Sequence, residues 1–184
     1  VFWTGPDTGW NSFWWAWCDM NGDTFKKDAY TIDGKRLGVY SWQWECSPTG
    51  TEFQPRVTIH ETGHGLGLPD YYDYDDKVGP RGGLGGFDMM DANRGDHNAF
   101  SKWLLGWITP TVIGDAEQMH TLQLRPSSLY PDSVVIMPGQ TLSQPFAEYF
   151  VVQNRSRREA DNSNDFDTPN DGLIIWHVDA RLNG

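Results

Sequence analysis

Cysteine, basic residues and long apolar runs are all scarce in this 184-residue chain. Its two cysteines, Cys18 and Cys46, exclude a disulfide-dense scaffold, and their separation matches no zinc knuckle or redox pair. A single Cys18–Cys46 disulfide is the expectation for an exported protein, with two independent buried thiols as the other reading. Lys and Arg number 14 against 25 Asp and Glu, a formal net charge of −11. Phosphate binding needs clustered cations, so nucleic acid is excluded as an expected partner. No apolar run approaches the ~20 residues of a membrane span, and no stretch reads as a signal peptide. What remains is a water-soluble composition, expected to be monomeric and long enough for one sizeable domain or one domain and part of another.

Tryptophan, by contrast, is abundant. Ten are present, and seven of them (Trp3, Trp10, Trp14, Trp15, Trp17, Trp42 and Trp44) precede residue 45. Core packing is the ordinary reading of such a cluster, and a binding surface is the alternative.

The chemistry concentrates in His60-Glu61-Thr62-Gly63-His64, continued by Gly65-Leu66-Gly67-Leu68-Pro69-Asp70. On a helix His60 and His64 are one turn apart and share a face, which is the spacing for two zinc nitrogens on one rigid element. Glu61 lies about 100° further round, beside the ligands and free to act as a base. Gly65, Gly67 and Pro69 should end the helix and turn Asp70 back as a third ligand. Asp73 is the rival third ligand, and the motif spacing favours Asp70. The pattern H-E-x-x-H-x-x-G-x-x-D is the extended zinc signature of a metzincin-type protease. Residues 71–76 and the aspartates Asp161, Asp165, Asp167 and Asp171 are dense enough in carboxylates for calcium, with a solvated acidic loop as the alternative in both places.

Around this motif the periodicities suggest an α+β chain. Residues 29–32, Asp33-Gly34 and 37–44 read as a β-hairpin, whose second strand is placed to pair with extended substrate. Residues 12–17 read as a short buried segment. After five glycines in 79–86, Met89-Met90 stands where a metzincin places a methionine turn beneath the metal, with Met90 the better candidate. Filling of a core gap is the other use of such a pair. Residues 97–107 carry helical spacing, and His97 at their start reads as structural because the ligand set is already complete. The runs 120–124, 133–137, 148–153 and 173–178 read as strands of a sandwich-like portion. The expected organisation is therefore a catalytic portion over 1–117, made of a twisted sheet, an active-site helix, a methionine turn and a further helix. A β-rich portion over 118–184 follows it.

Four blocks of sequence carry a resemblance to the immune inhibitor A family of secreted bacterial metalloproteases. They are residues 60–70 with the Tyr/Asp run after them, Gly86-Phe-Asp-Met-Met90, Ala99-Phe-Ser-Lys-Trp-Leu-Leu-Gly-Trp107, and Glu148-Tyr-Phe-Val-Val-Gln-Asn-Arg155 together with 172–179. The resemblance runs from about Trp14 to the C-terminus. It implies one catalytic zinc on His60, His64 and Asp70, Glu61 as general base, export behind a pro-segment, protein or peptide substrates, and calcium in some members. The strand and helix that open a metzincin catalytic domain have no counterpart before Val1, and the family continues past Gly184, so an excised or processed form is expected. Some metzincins carry a tyrosine two residues after the methionine turn, where this chain has Ala92. The rival from another class is a non-catalytic, tryptophan-rich module binding carbohydrate or protein, with a structural or vestigial zinc site.

Overall fold

The computed structural model describes residues 2–6, 16–19, 31–36, 38–46, 52–53, 55–75, 77, 83–115, 117–139, 142, 144–157 and 170–181. The fold is mixed α+β with small sheets and few helices. It divides into two compact units, one formed by residues 1–85 with 89–93 and the other by 86–88 with 94–184. This division falls upstream of the expected 117/118 boundary. The physical reason is that the helix after the methionine pair packs within the second unit. Expectations that rest on 12–15, on Trp10 and on Asp161, Asp165 and Asp167 lie outside the described residues.

In the first unit β1 (Phe2–Pro6), β2 (Trp17–Asp19) and β5 (Tyr40–Cys46) form a sheet in the order β1-β5-β2. β5 runs parallel to β1 and antiparallel to β2. Its first half, Tyr40–Trp42, pairs with β2, and its second half, Gln43–Cys46, pairs with β1. The Asp33-Gly34 hairpin forms, but its arms are only β3 (Thr31–Ile32) and β4 (Lys35–Arg36). Positive φ at Asp33 (52°) and Gly34 (73°) matches the two-residue turn that suits strand twist. The expected second arm is interrupted by a bend at Val39, and its later part joins the other sheet as β5.

The cysteines are free. Cys18 faces Ser41 across the β2–β5 ladder, whereas Cys46 lies five residues further along β5. At about 3.3 Å per residue that is roughly 17 Å, far beyond disulfide reach. The expected bridge is corrected by the register.

The helix α1 (Pro55–Gly65) starts on a proline, whose missing N–H costs nothing in the first turn and whose φ suits the helix. After the glycine-rich loop, α2 (Met89–Ala92) is a single turn with both methionines buried. Asn93 follows it at φ 54°.

In the second unit α3 (Ala99–Leu104) is capped by Asn98, whose side chain accepts the Ser101 N–H at 2.9 Å. Gly106 at φ 72° helps end it. Four strands, β6 (Thr111–Ile113), β7 (Val134–Ile136), β8 (Glu148–Arg155) and β9 (Gly172–Asp179), form one sheet in sequence order. The expected strand at 120–124 is an exposed irregular stretch instead. The β-branched Thr-Val-Ile of β6 takes its place, parallel to β7. Among the described residues of this unit there is thus a single sheet rather than a sandwich.

Val134, Val135, Tyr149, Val151, Trp176 and Val178 build its core, and Trp103 of α3 meets Tyr149 edge-on at 5.7 Å. His97 is buried against Trp107 (ring centroids 5.7 Å apart), and its carbonyl accepts from the fully buried Arg155, so it is a structural histidine. Among the described residues no helix is long and apolar enough to cross a membrane.

Candidate metal centre

All the residues of this centre belong to the first unit. One turn of α1 separates His60 from His64, and their rings stand nearly perpendicular (85°) with centroids 4.7 Å apart. The helix then ends in a Schellman motif. The Leu68 N–H reaches the Gly63 carbonyl (3.0 Å) and the Gly67 N–H reaches that of His64 (2.8 Å), with Gly67 at φ +100°. This φ lies where side chains are strained, which explains the glycine three residues beyond the second histidine. Leu68, fully buried, anchors the turn. The chain reverses, and Asp70 returns to the histidines.

The three ligand atoms of His60, His64 and Asp70 lie within 4.8 Å of one another. Asp70 Oδ1 is 3.0 Å from His60 Nε2 and 3.2 Å from His64 Nε2. Tetrahedral ligands about 2.0–2.1 Å from a zinc ion stand roughly 3.3 Å apart, so the spacing fits. All three side chains are between 6% and 12% exposed, which leaves water little room to separate them.

The second nitrogen of each ring decides what the first can do. His60 Nδ1 donates to the Met89 carbonyl (2.9 Å) and His64 Nδ1 to the Leu68 carbonyl (2.8 Å). A carbonyl oxygen can only accept, so each Nδ1 carries a proton, and Nε2 is the ring atom of each histidine left facing Asp70 Oδ1. With Nε2 deprotonated, the two rings and the carboxylate present three ligand atoms to a common point. Such a group is stable around a cation, or with a second proton on the rings, and the outer carbonyls are the partners that metal-ligating histidines normally have.

Glu61 is buried beside them, 8% exposed. Burial pushes its carboxyl up from 4.5 to about 7, against the opposing pull of His64, with Asp70 adding to the rise. It is poised to exchange a proton near neutrality.

Met90, the expected floor of the site, is fully buried, and its carbonyl accepts the Tyr71 N–H at 2.9 Å, tying the segment after Asp70 to α2. Gly83 passes so close to the Tyr71 carbonyl that a Cβ there would stand 1.9 Å from the oxygen. Asp73 is exposed, with Oδ1 accepting the Asp75 N–H at 2.8 Å, and Asp75 in turn accepts from Lys77. These carboxylates make Asx-turns, and neither joins the cluster. Asp171 accepts from the backbone of Arg157 (2.6 Å). No calcium-like group of three such ligands is present among the described residues.

Three participants are not among the expected site residues. The Met89 and Leu68 carbonyls have no side-chain signal, since any residue supplies one. Tyr74 has a signal, a phenol four residues after the last ligand, but it stands in an acidic run whose carboxylates equally suit calcium. Its hydroxyl donates to Asp70 Oδ2, and this bond raises its pKa, more than burial does. Tyr72 stacks near His60 (6.4 Å, 19°), and burial raises its phenol.

No protein-family model, no curated protein and no solved structure matches the chain.

Proposed function

We propose that the chain is a zinc-dependent endopeptidase, exported and acting on proteins or peptides, with the metzincin-type site that its resemblance to the immune inhibitor A family implies. The observation that carries this reading is the convergence of two imidazole Nε2 atoms and a carboxylate oxygen beside a buried glutamate. His60, His64 and Asp70 hold the zinc. When bound, zinc supplies Lewis acidity, drawing charge from the substrate carbonyl and easing deprotonation of the attacking water.

The chain's own residues do the rest. The Met89 and Leu68 carbonyls keep each imidazole in the tautomer and orientation that ligation needs. Glu61 takes the proton of the water that attacks the scissile carbonyl. It then gives that proton to the leaving amine nitrogen as the C–N bond breaks. A carboxyl lifted to about 7 by burial can do both steps near neutral pH. Met90 lies under this reading as the apolar floor.

Elemental analysis with a casein cleavage assay tests the proposal. Wild type should carry one zinc per chain and cleave. Glu61→Ala should retain zinc and lose about 10²–10⁴-fold in rate. His64→Ala and Asp70→Ala should lose zinc, while Asp73→Ala keeps it. A Glu61→Ala chain with near wild-type activity would refute the base, and zinc lost from Asp73→Ala but not Asp70→Ala would refute the ligand set.

A further inference from the structure

The two oxygens of Asp70 have different partners. Oδ1 faces both imidazole Nε2 atoms, and Oδ2 accepts the hydroxyl of Tyr74. Tyr74 is 76% exposed, so packing of its ring does not account for a hydroxyl that folds back onto the site. The Tyr72 ring lies between the histidine and this phenol, tilted against Tyr74 (centroids 4.9 Å) with the two hydroxyls 3.5 Å apart.

Resting on the zinc reading above, we propose that Tyr74 is a positioning residue that holds Asp70 as a one-oxygen ligand. A free aspartate can offer a metal both oxygens. A donor on Oδ2 makes that oxygen a poorer ligand and fixes the plane of the carboxylate, so that Oδ1 alone points into the cluster. One coordination position is thereby kept from Oδ2. The helix ligands are already set by backbone carbonyls, and Tyr74 completes the set by doing for Asp70 what Met89 and Leu68 do for the imidazoles. The spacing is legible too: Asp70 and Tyr74 are four residues apart.

The experiment compares wild type, Tyr74→Phe and Tyr72→Phe, loaded with zinc and, separately, with Co(II). The expected result for Tyr74→Phe is zinc binding weakened about tenfold in chelator competition. Its cobalt form should absorb less intensely in the visible as Oδ2 joins the coordination shell, and the thermal midpoint of the metal-free chain should not move. Tyr72→Phe should have a smaller effect than Tyr74→Phe, because the Tyr72 hydroxyl leans first on Tyr74 and only secondarily on Asp70. Wild-type zinc affinity and an unchanged cobalt spectrum in Tyr74→Phe overturn the positioning role while leaving the zinc reading intact. An equal effect from Tyr72→Phe also overturns it, because the ring pair rather than the bond to Asp70 would then be responsible. If the wild-type chain takes up no zinc, both readings fall together.

Discussion

Glu61 is held out of water next to two imidazoles and a carboxylate, and its protonation is therefore linked to folding. In the metal-free chain its carboxyl titrates at about 7 rather than 4.5 because burial penalises the charge. The folded state keeps this proton where the unfolded chain has lost it. The stability it contributes is complete below about pH 4.5, is lost as pH rises toward 7, and is absent above. The amount is at most ~3 kcal/mol. Denaturant titrations of the metal-free chain from pH 4.5 to 7.5 should show wild type losing stability relative to Glu61→Gln, whose amide does not titrate. Parallel curves for the two chains would mean that Glu61 is not shifted. At this scale the sequence was informative wherever a side chain does the chemistry: His60, Glu61, His64 and Asp70 were all legible from spacing. It was silent on the Met89 and Leu68 carbonyls, because every residue has one and only the folded chain selects which is used.

The turn after α1 is the element on which the site depends. Gly67 is the C′ residue of the Schellman motif, at φ +100° with open space where a Cβ would go, so an alanine there meets no clash but is strained. Gly67→Ala should cost about 1–2 kcal/mol. It should also weaken zinc binding, since the strained turn carries both the Leu68 carbonyl and Asp70. Gly65→Ala is the matched control. It lies in the last turn of α1, where a Cβ makes an ordinary 3.8 Å contact with Val39, and the helix gains up to ~1 kcal/mol from replacing glycine. Denaturation midpoints of the two variants should thus move in opposite directions, and a shared direction would contradict the motif. The breakers Gly67 and Pro69 announced this turn in the sequence. Strand pairing was harder to read. The Asp33-Gly34 signal gave the hairpin, but its arms stop after two residues each, and the partner of β5 is set by contacts with β1 and β2 rather than by local pattern. The same holds for 120–124, which alternates like a strand yet has no ladder to join.

At the scale of the molecule, the centre is assembled from pieces distant in sequence. α1 supplies two ligands, the turn supplies the third, and α2, almost thirty residues later, supplies the carbonyl that holds His60. Neither that last contact nor the place where the chain divides is legible in local pattern, because both depend on which segments pack together. Such a site acts as a staple when filled. A ligand that binds only the folded chain adds RT ln(1 + [L]/Kd), about 4 kcal/mol at a thousandfold excess over Kd. Zinc should therefore raise the thermal midpoint, and hydrogen exchange should slow within 55–71 and 89–93, the segments whose backbone groups hold the ligands. Asp70→Ala should remove that added protection, because without the third ligand the turn is no longer tied to α1. Exchange in 89–93 that does not respond to zinc, in a chain that binds it, would mean that the Met89 carbonyl does not support His60 in the loaded protein. The second histidine partner would then be Leu68 alone.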